Sequence, residues 1–343
     1  MTDLQKLYKE MKEEKSGQHK NKNDSVLIVD GLNSFIRCFA AIPTMNEDGE
    51  HIGGVAGFLK SVGMTIRTLQ PSRCVIAFDG KGGSKRRRKI YPKYKENRKH
   101  MTRLNRTYGF DDIETESESM SKQLVLLAHL LKCLPITVLA PNYVEADDVI
   151  SYAAQLIEEK GGNAIIMSTD KDFLQIVNNN ISVWNPIKKK MYTPSSVLDE
   201  YGIHPKNFVF YRMMDGDSTD NIPGIKGIGH KSLLKKYPKL AEPHSTTIDE
   251  IVDYADRQKG KVFERIASNK ELLERNYELM RLDEVMISGE TKMKIVDKID
   301  NDMLVYNKAD FVKLLSFNKM TDAFGNYNDW LMTSFQPLAE VIE

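Results

Sequence analysis

VLIVD (26–30) and VIAFD (75–79) decide how this chain is read. Each is a short Val/Ile-rich run that ends on a carboxylate, Asp30 in the first and Asp79 in the second. Two later runs behave alike. ITVLA (136–140) leads through PNYVEADD to Glu145, Asp147 and Asp148, and AIIMSTDKD (164–172) delivers Asp170 and Asp172. Short β-branched runs bounded by turn residues read as buried parallel strands. In an open parallel sheet, ligands bind outside the carboxyl ends of the strands. These runs therefore bring acid to one edge, where neighbouring carboxylates resist joint ionisation. One Asp after a strand is also an ordinary turn former or helix cap. The joint pattern exceeds what caps need, and a further pair, Asp217 and Asp220, sits in a glycine-bounded loop. The reading is a hard-cation site, Mg²⁺ or Mn²⁺, acting on a phosphate ester.

The chain has 343 residues, enough for two domains or for one with a large appendage. Its net charge is +1, but the charge is uneven: between Lys81 and Arg106 stand twelve Lys/Arg and one acid, Glu96. Local basic patches matter more than the total for binding phosphates. The three cysteines, Cys38, Cys74 and Cys133, form no CxxC pair and read as reduced core residues of a cytoplasmic protein. The seven histidines lack ligand spacing, which disfavours zinc. The N-terminus has no apolar signal core. The most apolar stretch, 124–140, is broken by His129, Lys132 and Pro135, so no membrane span is expected.

Residues 1–24 are polar, with Leu4, Leu7, Tyr8 and Met11 at helical spacing. That stripe could dock on this chain or on a partner. From 25 to 193 strands and helices alternate, the mark of an α/β layer. Lys188–Tyr192 reads as a hairpin return strand, and 194–343 reads as helical. Between Asp79 and a helix expected near Ser119 lie roughly forty residues, basic first and acidic later. So polar a segment (81–118) is expected to be mobile without a ligand. Its charge run Lys85, Arg86, Arg87, Arg88 and Lys89 could be a solvated surface. The aromatics beyond it, Tyr91 and Tyr94 among Lys95, Asn97 and Arg98, suit a nucleic-acid strand instead. The segment Gly224-Ile225-Lys226-Gly227-Ile228-Gly229 is no P-loop, because His230 takes the lysine position and Lys231 arrives late. It reads as a turn between helices, at about 205–240, whose glycines admit a phosphate. No spacing suggests a Ser–His or Cys–His nucleophile pair.

Together VDG (29–31), FDG (78–80), VEADD (144–148), STDKD (168–172) and GDSTDNIPGIKGIG (216–229) resemble the flap endonuclease/5′-nuclease family. That family includes the 5′-exonuclease domain of bacterial DNA polymerase I and phage-encoded ribonuclease H enzymes, which the chain resembles most. The resemblance runs from about Val26 to about Leu282. It implies a parallel twisted α/β sheet flanked by helices, as in PIN and 5′-nuclease folds. A helical arch at 81–118 and a helix-three-turn-helix region in the C-terminal helices complete the expected architecture. It further implies a two-metal 5′-nuclease cutting 5′ flaps and 5′ ends of duplex DNA or RNA–DNA hybrid, removing RNA primers in lagging-strand replication. Asp30, Asp79, Glu145, Asp147, Asp148 and Asp170 would lie near one ion, and Asp172, Asp217 and Asp220 around the second. Lys95 and Arg98 would contact the scissile phosphate from the arch. Arg37, Lys85, Arg86, Arg87, Arg88, Gly224, Lys226, Gly227, Gly229 and Lys231 would bind nucleic acid. The same resemblance implies a monovalent cation at the glycine turn. It also implies a sliding clamp or single-strand-binding protein as partner of a monomer in a bacterial host's cytoplasm. Two rival readings stay open: a PIN-type ribonuclease and a non-catalytic structure-specific binding protein.

Overall fold

The computed structural model describes residues 21–99, 103–285 and 287–341, and of 98, 99 and 230–232 the backbone alone. The expected helical stripe of Leu4, Leu7, Tyr8 and Met11 lies outside the described residues. Strands β1 (Ser25–Asp30), β2 (Arg73–Ala77), β3 (Thr137–Leu139), β4 (Asn163–Met167), β5 (Ile181–Asn185) and β6 (Lys190–Tyr192) form one sheet. Their order is β3-β2-β1-β4-β5-β6. All neighbours are parallel except β6, which returns antiparallel beside β5 as the hairpin expected at 188–192. The chain leaves β1 toward β2 and β3, then crosses back to β4 on β1's other side. That reversal places a crevice at the carboxyl end of β1. The register sets Asp30 opposite Ala77 and Val29 opposite Met167, so the acids after β1, β2 and β4 emerge at one edge.

Period-two alternation distributes β1 between two cores. Val26 and Ile28 pack with Val149, Ile150 and Ala153, while Leu27 and Val29 pack with Phe35, Val55, Phe58 and Leu59. The helices that do this are α1 (Gly31–Ala41), α2 (Gly53–Leu69) and, on the other face, α5 (Ala146–Glu159). Between them lie α3 (Lys85–Ile90) and α4 (Ile113–Leu131). After the sheet come α6 (Pro194–Tyr201), α7 (Phe208–Asp215), α8 (His230–Lys236), α9 (Ile248–Asp256), α10 (Lys261–Ala267) and α11 (Lys270–Met280).

One feature differs from the expectation. Helix α4 begins at Ile113, not near Ser119. The Asp112 carboxylate accepts from Thr115 N at 2.8 Å and the Asp112 amide donates to Thr115 Oγ1 at 3.2 Å. This reciprocal cap, with Glu114 and Glu116 in the first turn against the helix dipole, turns the acidic stretch into helix. The chain end, expected to be helical, packs back onto the sheet. Phe311, Leu315, Trp330, Leu331, Phe335 and Leu338 join the core beneath Leu27, Val29 and Phe58. The other core is equally continuous, running from β1 and α5 into Phe208, Met213 and Ile225. No helix of the described residues is long and apolar enough to cross a membrane.

Phe335 is fully buried and meets Trp330 edge-on, with ring centroids 5.2 Å apart. Phe335→Ala should cost about 3–5 kcal/mol. Denaturant unfolding followed by fluorescence and circular dichroism should show this as one shifted transition. A separate early transition would mean that the C-terminal helices fold as their own unit.

Candidate metal and nucleic-acid site

Each acid is fixed by the turn after its strand. Asp30, 5% exposed, caps α1 by accepting from Asn33 N at 3.2 Å and also accepts from Ser168 Oγ at 3.0 Å. Asp79 accepts from the Ala146 amide at 2.7 Å and so pins the start of α5. Glu145 stands at the N-cap of that helix, with Asp147 and Asp148 in its first turn. After β4, Asp170 N bonds Ser168 Oγ at 3.1 Å and Asp170 Oδ1 accepts from Asp172 N at 2.8 Å. Beyond α7, Asp217 accepts from the amides of Thr219 and Asp220 at 2.7 and 3.2 Å.

The cations divide these acids into three groups. Arg87 joins Glu145 at 2.5 Å and grips Asp148 with two nitrogens at 2.7 and 2.9 Å. Lys95 adds a 2.6 Å contact to Glu145 and lies 3.8 Å from Asp220. Burial alone would raise Glu145, but Arg87 and Lys95 outweigh it and hold the carboxyl below its usual range. Arg212 on α7 joins Asp172 at 2.5 Å and Asp217 at 2.7 Å. Among the described residues Asp30, Asp79, Asp147 and Asp170 have no ion pair, and the buried three of these, Asp30, Asp147 and Asp170, make the third group. Burial pushes Asp30 up to about 6 and Asp170 up to about 7, the latter helped by Asp172. Asp147 is raised well above the ordinary value by burial and then by Asp170 and Asp30.

Residues 85–97 of the basic segment, expected to be mobile without a ligand, are packed onto this cluster. Tyr94 is 2% exposed and donates toward Glu145 Oε2 at 3.2 Å and Asp220 Oδ2 at 3.1 Å. Backbone and amide bonds stitch it to the 216–222 loop: Lys95 N to Asp220 O, Asn97 Nδ2 to Ser218 O and Asn221 Nδ2 to Lys93 O, each between 2.8 and 2.9 Å. The excess negative charge of the cluster supplies the attraction that the segment's own polarity did not reveal. Lys85 and Arg88 are exposed, Arg86 is half-buried, and Arg87 is buried. Half-buried Arg37 lies on α1 and has no partner for its buried Nε. The side chains of Arg98 and Lys231 lie outside the described residues.

The glycine turn joins α7 to α8, as its spacing predicted. A Cβ on Gly224 would stand 2.0 Å from Asp215 O, and Gly227 has φ +87°, so neither position accepts a side chain without strain. Asn276, fully buried on α11, donates to Met213 O at 2.9 Å and Pro223 O at 2.8 Å and holds the turn from behind. Lys226, Gly227 and Gly229 are exposed, and the Lys226 carbonyl accepts from Arg265 at 2.7 Å.

Residues 25–202 match the family described as 5′-3′ exonuclease, N-terminal resolvase-like domain. The chain belongs to the 5′-3′ exonuclease family. It is 32% identical over 217 residues to a 5′-3′ exonuclease of Aquifex aeolicus, covering 62% of this chain and 70% of that one. A 5′-3′ exonuclease of Buchnera aphidicola is 28% identical across 85% of this chain and 95% of its own. DNA polymerase I of Rhizobium leguminosarum is 27% identical across 87% of this chain but 27% of its own length. Among solved structures, the fold is similar to T5 5′-exonuclease with zinc bound, at TM-score 0.63, 19% identity, and 86% and 99% coverage. It is also similar to T5 flap endonuclease with DNA and metal ions, at TM-score 0.61, 20% identity, and 85% and 99% coverage.

Among the described residues, no three carboxylates converge as they stand into an enclosed ion site. The donor chemistry nevertheless fits a hard divalent cation. Every donor is a carboxylate oxygen, and the central three have no ion pair among the described residues. Two site residues escaped the sequence reading. Arg212 and Ser168 are not among the candidates, because only tertiary packing brings each to an acid.

Asp30 and Asp170 are raised from 3.8 to about 6 and about 7, so the folded chain binds more protons than the unfolded chain between those values. Stability without divalent ions is therefore lost as pH rises through that window. Asp170→Asn removes one contributor. In chelator, its unfolding free energy from denaturant titration should gain on that of the unmodified chain between pH 5 and pH 8, by a difference on the order of 1–3 kcal/mol. A gap that does not change with pH would show that Asp170 is not held up.

Proposed function

We propose that the chain is a divalent-ion-dependent, structure-specific 5′-nuclease acting on 5′ ends and 5′ flaps of duplex DNA and RNA–DNA hybrid. The observation that carries this reading is the central trio, Asp30, Asp147 and Asp170, raised by burial and without an ion pair among the described residues, beside a basic, aromatic-rich segment. Asp30, Asp147 and Asp170, with Asp79 and the second oxygen of Glu145, would hold one ion. Asp172, Asp217 and Asp220 would hold another, beside Arg212. When bound, Mg²⁺, or Mn²⁺ in its place, lowers the pKa of water and offsets charge on the leaving oxygen.

The chain's own side chains do the rest. Lys95, 12% exposed at its side chain, is close enough to the acids to reach a phosphate drawn to them. There it would offset charge that grows in the transition state. Exposed Lys85 and Arg88 would track the single strand, and Lys226 with the glycine turn would hold the duplex backbone. Backbone contacts position without reading sequence, so selectivity is for structure. Removal of RNA primers is the biological task this fits. A monovalent cation at the turn belongs to the same reading, although Arg265 already brings positive charge to the Lys226 carbonyl.

The test is a 5′-labelled flap incubated with the chain and Mg²⁺, with products sized against an EDTA control. Short 5′ products that need the ion are expected. Preference for unstructured RNA would favour a PIN-type ribonuclease, and tight flap binding without product would favour a binding protein. Lys95→Ala should lower the single-turnover rate by about 2–4 kcal/mol in barrier, with flap affinity changed much less. Lost affinity with a normal rate at saturating enzyme would make Lys95 a binding residue only.

A further inference from the structure

Arg87 stands apart from the basic run that contains it. Lys85, Arg88 and Lys89 are exposed, while Arg87 is 7% exposed. Its guanidinium is bonded on every side. Nη1 reaches Glu145 Oε2 at 2.5 Å and Asp148 Oδ2 at 2.7 Å, Nη2 reaches Asp148 Oδ1 at 2.9 Å, and Nε donates to Leu279 O at 2.8 Å. One side chain thus ties three elements together: α3 at the base of the basic segment, the first turn of α5, and the end of α11. A planar fork gripping a carboxylate with two parallel bonds fixes orientation as well as charge. Four of its five N–H donors are taken in this way, and at 7% exposure the side chain is a poor phosphate contact.

The consequence for the acids is specific. Both oxygens of Asp148 accept from Arg87, and one oxygen of Glu145 does; the other oxygen of Glu145 receives Lys95 at 2.6 Å. Asp147 lies between them in sequence but belongs to the group of Asp30 and Asp170. The first turn of α5 therefore divides its labour. Asp148 anchors the basic segment, Glu145 is shared between Arg87 and Lys95, and Asp147 has no ion pair among the described residues.

Resting on the nuclease reading above, we propose that Arg87 is a positioning residue for the reaction, neither a phosphate contact nor a free surface charge. It sets the first turn of α5, and through it Glu145 and Asp147, against the base of the arch. Asp148 is its anchor and not a ligand of either ion. Loosening this link would leave nucleic-acid binding intact and misplace the groups that act on the bound strand.

The test uses the full chain and two readouts. The first is Mn²⁺ binding without nucleic acid, followed by electron paramagnetic resonance. Asp148→Asn should bind Mn²⁺ within about threefold of the unmodified chain, whereas Asp170→Asn should lose about tenfold or more. The second is single-turnover cleavage of a 5′ flap, with flap affinity measured across a salt titration. Arg87→Gln and Asp148→Asn should each slow cleavage by about tenfold or more, and the double variant should be no slower than the slower single within about threefold, since they act as one unit. Flap affinity and its salt slope should stay unchanged in Arg87→Gln. Three results would overturn the proposal: Asp148→Asn losing Mn²⁺ as Asp170→Asn does, single effects that multiply in the double variant, or a flatter salt slope in Arg87→Gln. If Arg87→Gln fails to fold by circular dichroism, Arg87→Lys takes its place; it keeps the charge and loses the fork, so it should still slow cleavage. An unmodified chain that binds no Mn²⁺ is recognised before any variant is made; it overturns the nuclease reading and this proposal with it.

Discussion

Carboxylates crowded at one edge of a parallel sheet must be neutralised, and most of the site's architecture depends on how that is done. The strand register delivers Asp30, Asp79 and the acids after β3 and β4 to the same crevice whether or not their charges agree. Unpaired, such groups lose ionisation or destabilise the fold. Here two arginines and a lysine from outside the sheet take up part of the charge: Arg87 and Lys95 on one side and Arg212 on the other. Asp30, Asp147 and Asp170 are pushed toward neutrality by burial and by neighbouring carboxylates, and Asp172 is raised as well in spite of Arg212.

This partition links parts of the chain that are far apart in sequence. Arg87 and Tyr94 bring the basic segment down on α5, and Lys93, Lys95 and Asn97 bond it to the 216–222 loop. That loop opens the glycine turn, which Asn276 fastens to α11. The groups proposed to grip duplex, to steer a single strand and to hold ions thus form one connected framework. A change at the acids would be felt in the segment that meets the strand, without any separate device to relay it.

Much of this was legible in the sequence, for physical reasons. Val26–Asp30 and Val75–Asp79 are too apolar and too β-branched for anything but buried strands, and parallel strands all release their C-terminal residues at a single edge of the sheet. Gly224 and Gly227 announced a turn because the backbone there leaves no room for, or no easy φ for, a side chain. The state of the basic segment was not legible. Lys85 to Lys89 carries the local signature of a solvated run, and the burial of Arg87 depends on Glu145 and Asp148, some sixty residues onward. The start of α4 was hidden because Asp112 and Thr115 cap each other within an acidic stretch that otherwise reads as loop. Phe311, Trp330 and Phe335 carry no chemistry that a motif could flag, yet they complete one face of the sheet.

The central claim is that Asp30, Asp147 and Asp170, which have no ion pair among the described residues, form a trio awaiting a divalent cation, while Glu145 and Asp148 are already held by Arg87 and Lys95. Carboxyl-¹³C resonances of selectively labelled aspartate and glutamate, tracked through a pH titration in chelator and again in saturating Mg²⁺, measure this directly. The account predicts that Asp30 and Asp170 titrate near 6 and 7 in chelator and fall below the ordinary carboxylate range in Mg²⁺, while Glu145 stays low in both. Ordinary carboxylate titration of Asp30 and Asp170 in chelator, unmoved by Mg²⁺, would contradict it.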